Sequence, residues 1–112
     1  MEKALQILED PDRHFLTSPF VQLELVPKSV FYRKKLERSF YEAYFSKAEW
    51  CYDVGGIVAL AQVEAARHGL SAVDALHLSA AHIIGADEFV TTERPGKPIY
   101  RSRLAAVTYL FE

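Results

Sequence analysis

Three carboxylates in this 112-residue chain stand beside apolar stretches: Glu24, Asp74 and Glu93. A carboxylate is costly to bury unless it is paired or bound to a metal. Glu24 lies four residues after Phe20 and three after Val21, so on a helix it shares a face with residues expected to be buried. Asp74 falls in the first turn of a helix predicted over 71–84. Glu93 follows Phe89-Val90-Thr91, at the strand end where open α/β sheets place their sites. Oxygen ligands of this kind suit hard divalent cations such as Mg²⁺ or Mn²⁺. One or two such ions activate a water and stabilise charge on an attacked phosphodiester. The expectation is that the three carboxyl groups converge to within about 8 Å. Each also has a plain structural reading. Asp74 stands three after Ser71, close to a capping-box spacing, though Glu is usual there. Glu24 has Lys28 at i+4 as a partner, and Glu93 reads equally as a loop acid. Spacing alone leaves both readings open.

Other reactive residue types give less. His77 and His82 are five apart, not the i, i+4 of a helical metal pair. His77 reads as a packed core histidine. No Ser lies in a G-x-S-x-G turn, and Gly55-Gly56 lacks the further glycines and the lysine of a phosphate loop. The one cysteine, Cys51, stands between Trp50 and Tyr52 and reads as packing. A single thiol forms no internal disulfide, which favours a reducing, cytoplasmic setting. The start of the chain shows no apolar core of signal-peptide length, and no apolar run approaches the roughly 20 residues of a membrane span. The formal net charge is −2, so a case for nucleic acid rests on local patches. Two exist: Lys28 with Arg33-Lys34-Lys35 and Arg38, and Arg94, Lys97, Arg101 and Arg103.

The elements that would position these groups follow from pattern and punctuation. No repeat or low-complexity stretch divides the chain, so a single domain over 1–112 is expected. Residues 1–9 read as a helix, broken by Asp10-Pro11-Asp12. His14–Thr17 is a strand candidate. Ser18-Pro19 starts a helix that is expected to stop by Pro27. A longer helix is predicted from Val30 to Lys47, with Leu36, Phe40, Ala43 and Tyr44 on its apolar side. Glu49–Tyr52 is a second short strand candidate. Val54, Ile57, Val58, Ala61 and Ala65 mark the buried face of a helix ending at Gly69. Ser71 opens the next helix, apolar on most sides, which stops at Gly85. Glu88–Thr91 and Ala106–Phe111 read as strands. Strands separated by helices predict an α/β fold with a parallel sheet.

The run Leu70-Ser71-Ala72-Val73-Asp74-Ala75-Leu76-His77-Leu78-Ser79-Ala80-Ala81, followed by Gly85-Ala86-Asp87-Glu88-Phe89-Val90-Thr91-Thr92-Glu93, resembles PIN domains, including VapC-type toxins. Upstream, Ser18-Pro19-Phe20-Val21-Gln22-Leu23-Glu24-Leu25 is similar to that family's second acidic helix. The resemblance covers roughly residues 5–112. It implies a three-layer α/β/α fold with a mostly parallel central sheet. It also implies a ribonuclease that holds Mg²⁺ or Mn²⁺ in an acidic cluster, here Glu24, Asp74 and Glu93. Glu93 stands where the family more often has Asp. Arg94, Lys97, Arg101 and Arg103 would then hold the phosphate backbone of RNA.

The chain departs from the family at its start. PIN domains begin with a short strand carrying an Asp, and nothing before Glu24 matches it; Asp10 and Asp12 flank a proline after a helix. The expectation is a PIN-like chain without its first strand, with weakened or lost activity. The family's first strand is internal to the sheet, so its absence would leave an apolar slot and unpaired backbone groups, and a homodimer is expected. An antitoxin protein is a further expected partner. The competing readings are a catalytically silent RNA- or protein-binding module and a purely structural oligomerisation module.

Overall fold

The computed structural model describes residues 2–111. Contacts divide the chain into two units, Met1–Trp50 and Cys51–Glu112. Both mix helices with a parallel strand pair, so the α/β class read from the sequence holds. The described strands form two separate two-stranded sheets where one central sheet was expected.

The first unit runs α1 (Glu2–Glu9), β1 (Leu16–Thr17), α2 (Pro19–Phe31), α3 (Lys35–Lys47) and β2 (Glu49–Trp50). Parallel β1 and β2 put Leu16 opposite Glu49 and Thr17 opposite Trp50. Ser18 caps α2: it is fully buried and its hydroxyl accepts from the Val21 amide at 3.5 Å. Pro19 occupies the first turn, where its missing N–H costs nothing.

Two helix boundaries differ from expectation. The α2 helix passes through Pro27 and ends at Phe31. Proline removes one i→i−4 bond, and here Pro27 and Leu23 both face water, which can satisfy the orphaned carbonyl. The predicted helix 30–47 is therefore two helices. They part at Arg33, whose φ is 54°, while the Lys34 amide returns to the Ser29 carbonyl at 2.9 Å. A left-handed arginine costs roughly 1 kcal/mol relative to glycine. Leu36 is a second correction. It is 81% exposed, because α3 starts only at Lys35 and Leu36 precedes the packed part of the helix. No α3 residue is fully buried. Its aromatic side packs partway: Phe15 meets Tyr44 edge-on at 5.9 Å, Phe45 lies 5.4 Å from Trp50, and the Tyr44 hydroxyl donates to the Leu16 carbonyl.

The second unit contains α4 (Val54–His68), α5 (Ala72–Ile84), β3 (Glu88–Thr91), a 3₁₀ turn at Pro98–Arg101, and β4 (Ala106–Tyr109). Both helices end at the glycines the sequence marks, and Ser71 opens α5 as predicted. Asp53 caps α4 by accepting from the Gly56 amide at 3.1 Å. A Cβ at Gly56 would sit 2.3 Å from that carboxylate, so this glycine makes room for the cap. Ser71 caps α5 through the Asp74 amide at 3.2 Å. Gly69 (φ 68°) and Gly85 (φ 83°) end the helices in the left-handed conformation. Ala61, Leu70, Ala75, Leu78 and Ile99 form the core, with Phe89, Tyr100 and Val107 packed against it. Of the apolar face predicted for α4, Ile57 and Ala61 are buried, but Val54 and Val58 are exposed. They lie one turn apart at the start of α4, beyond the reach of that core. Parallel β3 and β4 align Glu88 with Ala106 through Thr91 with Tyr109.

Candidate functional site

Glu24 lies on α2 in the first unit, whereas Asp74 and Glu93 lie in the second. Within neither unit do three His, Cys, Asp or Glu side chains among the described residues gather closely enough to hold an ion.

Glu24 is half-buried and lines a cleft between α2 and α3 with Lys28, Lys34, Glu37 and Tyr41. Burial raises the Tyr41 hydroxyl above the usual tyrosine range, and the Glu37 and Glu24 carboxylates push the same way. The cleft thus holds two carboxylates, two ammonium groups and a phenol that stays protonated.

Asp74 sits in the first turn of α5, half-buried, where the helix dipole favours its negative charge. Its amide serves the Ser71 cap, which leaves its carboxylate oxygens out of that bond. Glu93 is exposed, two residues past β3. Its amide donates to the Thr91 hydroxyl at 3.1 Å, and its carbonyl accepts from the Tyr100 hydroxyl. Those two bonds fix the backbone that carries the side chain. His77, one turn beyond Asp74, stacks on Phe89 of β3 at 6.3 Å with the rings 24° apart. This contact lays the start of α5 against the strand that leads to Glu93. His77 is buried, in keeping with a packed core histidine, and Cys51 is buried as expected of packing.

The four cations of the second basic patch are exposed and follow Glu93 in the loop and 3₁₀ turn. Arg101 also has a structural bond: its guanidinium donates to the His68 carbonyl at the end of α4 at 3.1 Å. Arg94, Lys97 and Arg103 make no ion pair among the described residues.

One pair escaped the sequence reading. Glu64 is 3% exposed and its carboxylate meets His68 Nε2 at 3.0 Å. The i, i+4 spacing was its signal, but the surrounding alanines read as a plain apolar face. Comparison with protein-family models, curated proteins and solved structures finds no match to this chain.

Proposed function

We propose that the chain is a PIN-type nucleic-acid-binding protein with metal-dependent ribonuclease chemistry. The observation that carries the reading is local to the second unit. A serine-capped helix presents Asp74 in its first turn, runs to a glycine stop, and returns as a strand that leads to Glu93. This is the order of elements that the resemblance requires. The parallel pairing in each unit supports the parallel α/β character of the fold it implies. In this reading Asp74 and Glu93 ligate Mg²⁺ or Mn²⁺, with Glu24 as the third acid assigned by resemblance. Carboxylates are the right donors for these ions. Such an ion would supply an activated water and neutralise charge on a phosphodiester. Arg94, Lys97 and Arg103 would hold RNA phosphates beside it, and a second copy of the chain or an antitoxin protein is the expected protein partner.

The test is Mn²⁺ titration by calorimetry alongside cleavage of single-stranded RNA. Asp74→Asn replaces an anionic ligand by a neutral amide, which a hard cation binds less well. It is expected to weaken Mn²⁺ binding at least tenfold and to abolish any Mn²⁺-dependent cleavage. Unchanged metal binding in Asp74→Asn and in Glu93→Gln would remove the proposed centre. The runner-up, a catalytically silent RNA-binding module, is favoured by the finding that within neither unit do three His, Cys, Asp or Glu side chains among the described residues gather closely enough to hold an ion. It predicts RNA binding that is indifferent to Mn²⁺ and to Asp74→Asn.

A further inference from the structure

The corner between α2 and α3 carries residues that the metal reading does not use. From Val30 to Leu36 every residue is exposed. Phe31 is 77% and Tyr32 65% exposed, and their rings stand edge to face at 4.9 Å. Single exposed apolar side chains need no explanation, but a contiguous set marks a contact surface. Interleaved with them are Arg33, Lys34 and Lys35, and Lys28 is one turn back on α2. Among the described residues no carboxylate forms an ion pair with Arg33, Lys34 or Lys35. Arg33 holds the left-handed position at the apex, which glycine would take without strain. The corner therefore keeps a cation where the backbone favours none. Tyr32 and Lys34 also line the cleft of about 310 Å³ whose other polar groups include Lys28, Glu24, Glu37 and Tyr41.

We propose that this corner binds a single-stranded nucleic acid, with phosphates held by Lys28, Arg33, Lys34 and Lys35 and a base stacked on Phe31 or Tyr32. Charge decides among the occupants. A second copy of the chain, packed on this face about a two-fold axis, would bring the same cations against each other. An anionic bilayer presents a broad surface that neither enters the cleft nor pairs with its polar groups. A single strand satisfies every feature. Its phosphates neutralise the cations, and its unstacked bases cover the exposed rings. A base edge entering the cleft finds an acceptor in Glu37 and a donor in the Tyr41 hydroxyl. The site needs no metal, so it stands whether or not the acidic centre does.

Fluorescence anisotropy of the full chain tests this in EDTA, with a labelled short oligouridylate and an oligothymidylate of equal length. The expected result is binding that weakens steeply with salt and is poorer for duplex RNA. Equal binding of the two oligonucleotides supports recognition through phosphate and base; preference for oligouridylate supports RNA as the ligand. Phe31→Ala and Tyr32→Ala are both at exposed positions, and at least one is expected to lower affinity about fivefold or more. Arg33→Gly separates fold from binding. It is expected to raise the melting temperature by a few degrees while weakening the complex severalfold. Failure of both oligonucleotides to bind would overturn the proposal, as would affinity unchanged in both aromatic variants. Displacement by polyglutamate as effective as by oligouridylate would reduce the corner to a general anion surface. Binding of phosphatidylserine vesicles in place of the oligonucleotides would make it a membrane contact. Because EDTA is present throughout, none of these failures touches the metal reading.

Discussion

The second unit is held by residues that water does not reach; in the first, apart from Leu8, Thr17, Ser18 and Ser29, packing falls to residues that stay half in it. Ile57, Ala75, Leu78 and Ile99 are at most 1% exposed, and both flanking helices begin at a side-chain cap and end at a left-handed glycine. In the first unit α3 buries no residue fully, α2 buries only Ser29, and Lys34, which precedes α3, supplies no side-chain cap. Leu23, Phe31, Tyr32 and Leu36 are each more than 60% exposed. A helix pair built this way leaves large apolar side chains in contact with solvent. The difference separates a scaffold, which positions Asp74 and Glu93, from a surface, which presents rings and cations.

The sharpest way to break this comparison is to truncate one leucine in each unit. Leu78→Ala removes a fully buried side chain from α5 and is expected to cost about 2–5 kcal/mol. Leu36→Ala, on α3, is expected to change stability by less than about 0.5 kcal/mol. Urea denaturation measures both. A large loss from Leu36→Ala would mean that the exposed corner belongs to a core and would sink the scaffold-and-surface distinction.

What could be read from the residues follows the same division. In the second unit pattern and punctuation agree: Ser71, Gly69 and Gly85 fix helix ends, and the apolar run at 75–80 lies in the core. In the first unit they conflict. Pro27 reads as a stop, yet the helix continues on a solvated side. The true break is at Arg33, a residue type with no turn signal, so Leu36 was assigned to a packed face that starts further on. The grouping of Glu24 with Glu37 and Tyr41 depends on how two helices meet, which no local spacing encodes. The strands β1 and β2 are two residues long, too short for any period to show. The places of Asp74 in the first turn of α5 and of Glu93 after β3 were legible because each follows a strong element signal. The resemblance assigns Glu24 to the same cluster, but spacing does not connect it to the other two.

A smaller effect sharpens the account of how the second unit is punctuated. Gly55 and Gly56 are neighbours in the first turn of α4, yet a Cβ at Gly55 meets nothing within 4 Å, while one at Gly56 meets the Asp53 carboxylate. Gly55→Ala is therefore expected to stabilise by roughly 0.4–1 kcal/mol, by restricting the unfolded chain. Gly56→Ala gains the same term and loses the cap, about 1 kcal/mol, so it is expected to be near neutral or destabilising. Equal stabilisation by both substitutions would show that the Asp53 bond contributes nothing.

The smallest effect lies in the first unit and is read only in alkaline solution. Tyr41 and Tyr44 on α3 both have hydroxyls raised above the ordinary tyrosine range. For Tyr41 the cause is burial first, then the Glu37 and Glu24 carboxylates; for Tyr44 it is burial, partly opposed by the Thr17 hydroxyl. A group that holds its proton more tightly when folded favours the folded state at every pH where that proton is bound. Below the unfolded tyrosine value, near 10, both states are protonated and the contribution is fully present. As pH rises through the raised folded values the unfolded state binds fewer protons than the native one, and stability falls. The chain is therefore expected to lose stability progressively above the ordinary tyrosine range. Phenylalanine cannot ionise, so Tyr41→Phe is expected to flatten part of that alkaline decline while leaving neutral-pH stability nearly unchanged, since the Tyr41 ring is only half-buried. Tyr44→Phe also loses the bond to the Leu16 carbonyl, about 1 kcal/mol, and so lowers the whole curve as well as flattening it. Urea midpoints measured across the alkaline range for both variants read the two effects. An alkaline decline as steep in Tyr41→Phe as in the unaltered chain would mean that neither burial nor the carboxylates of the α2–α3 cleft raise this phenol.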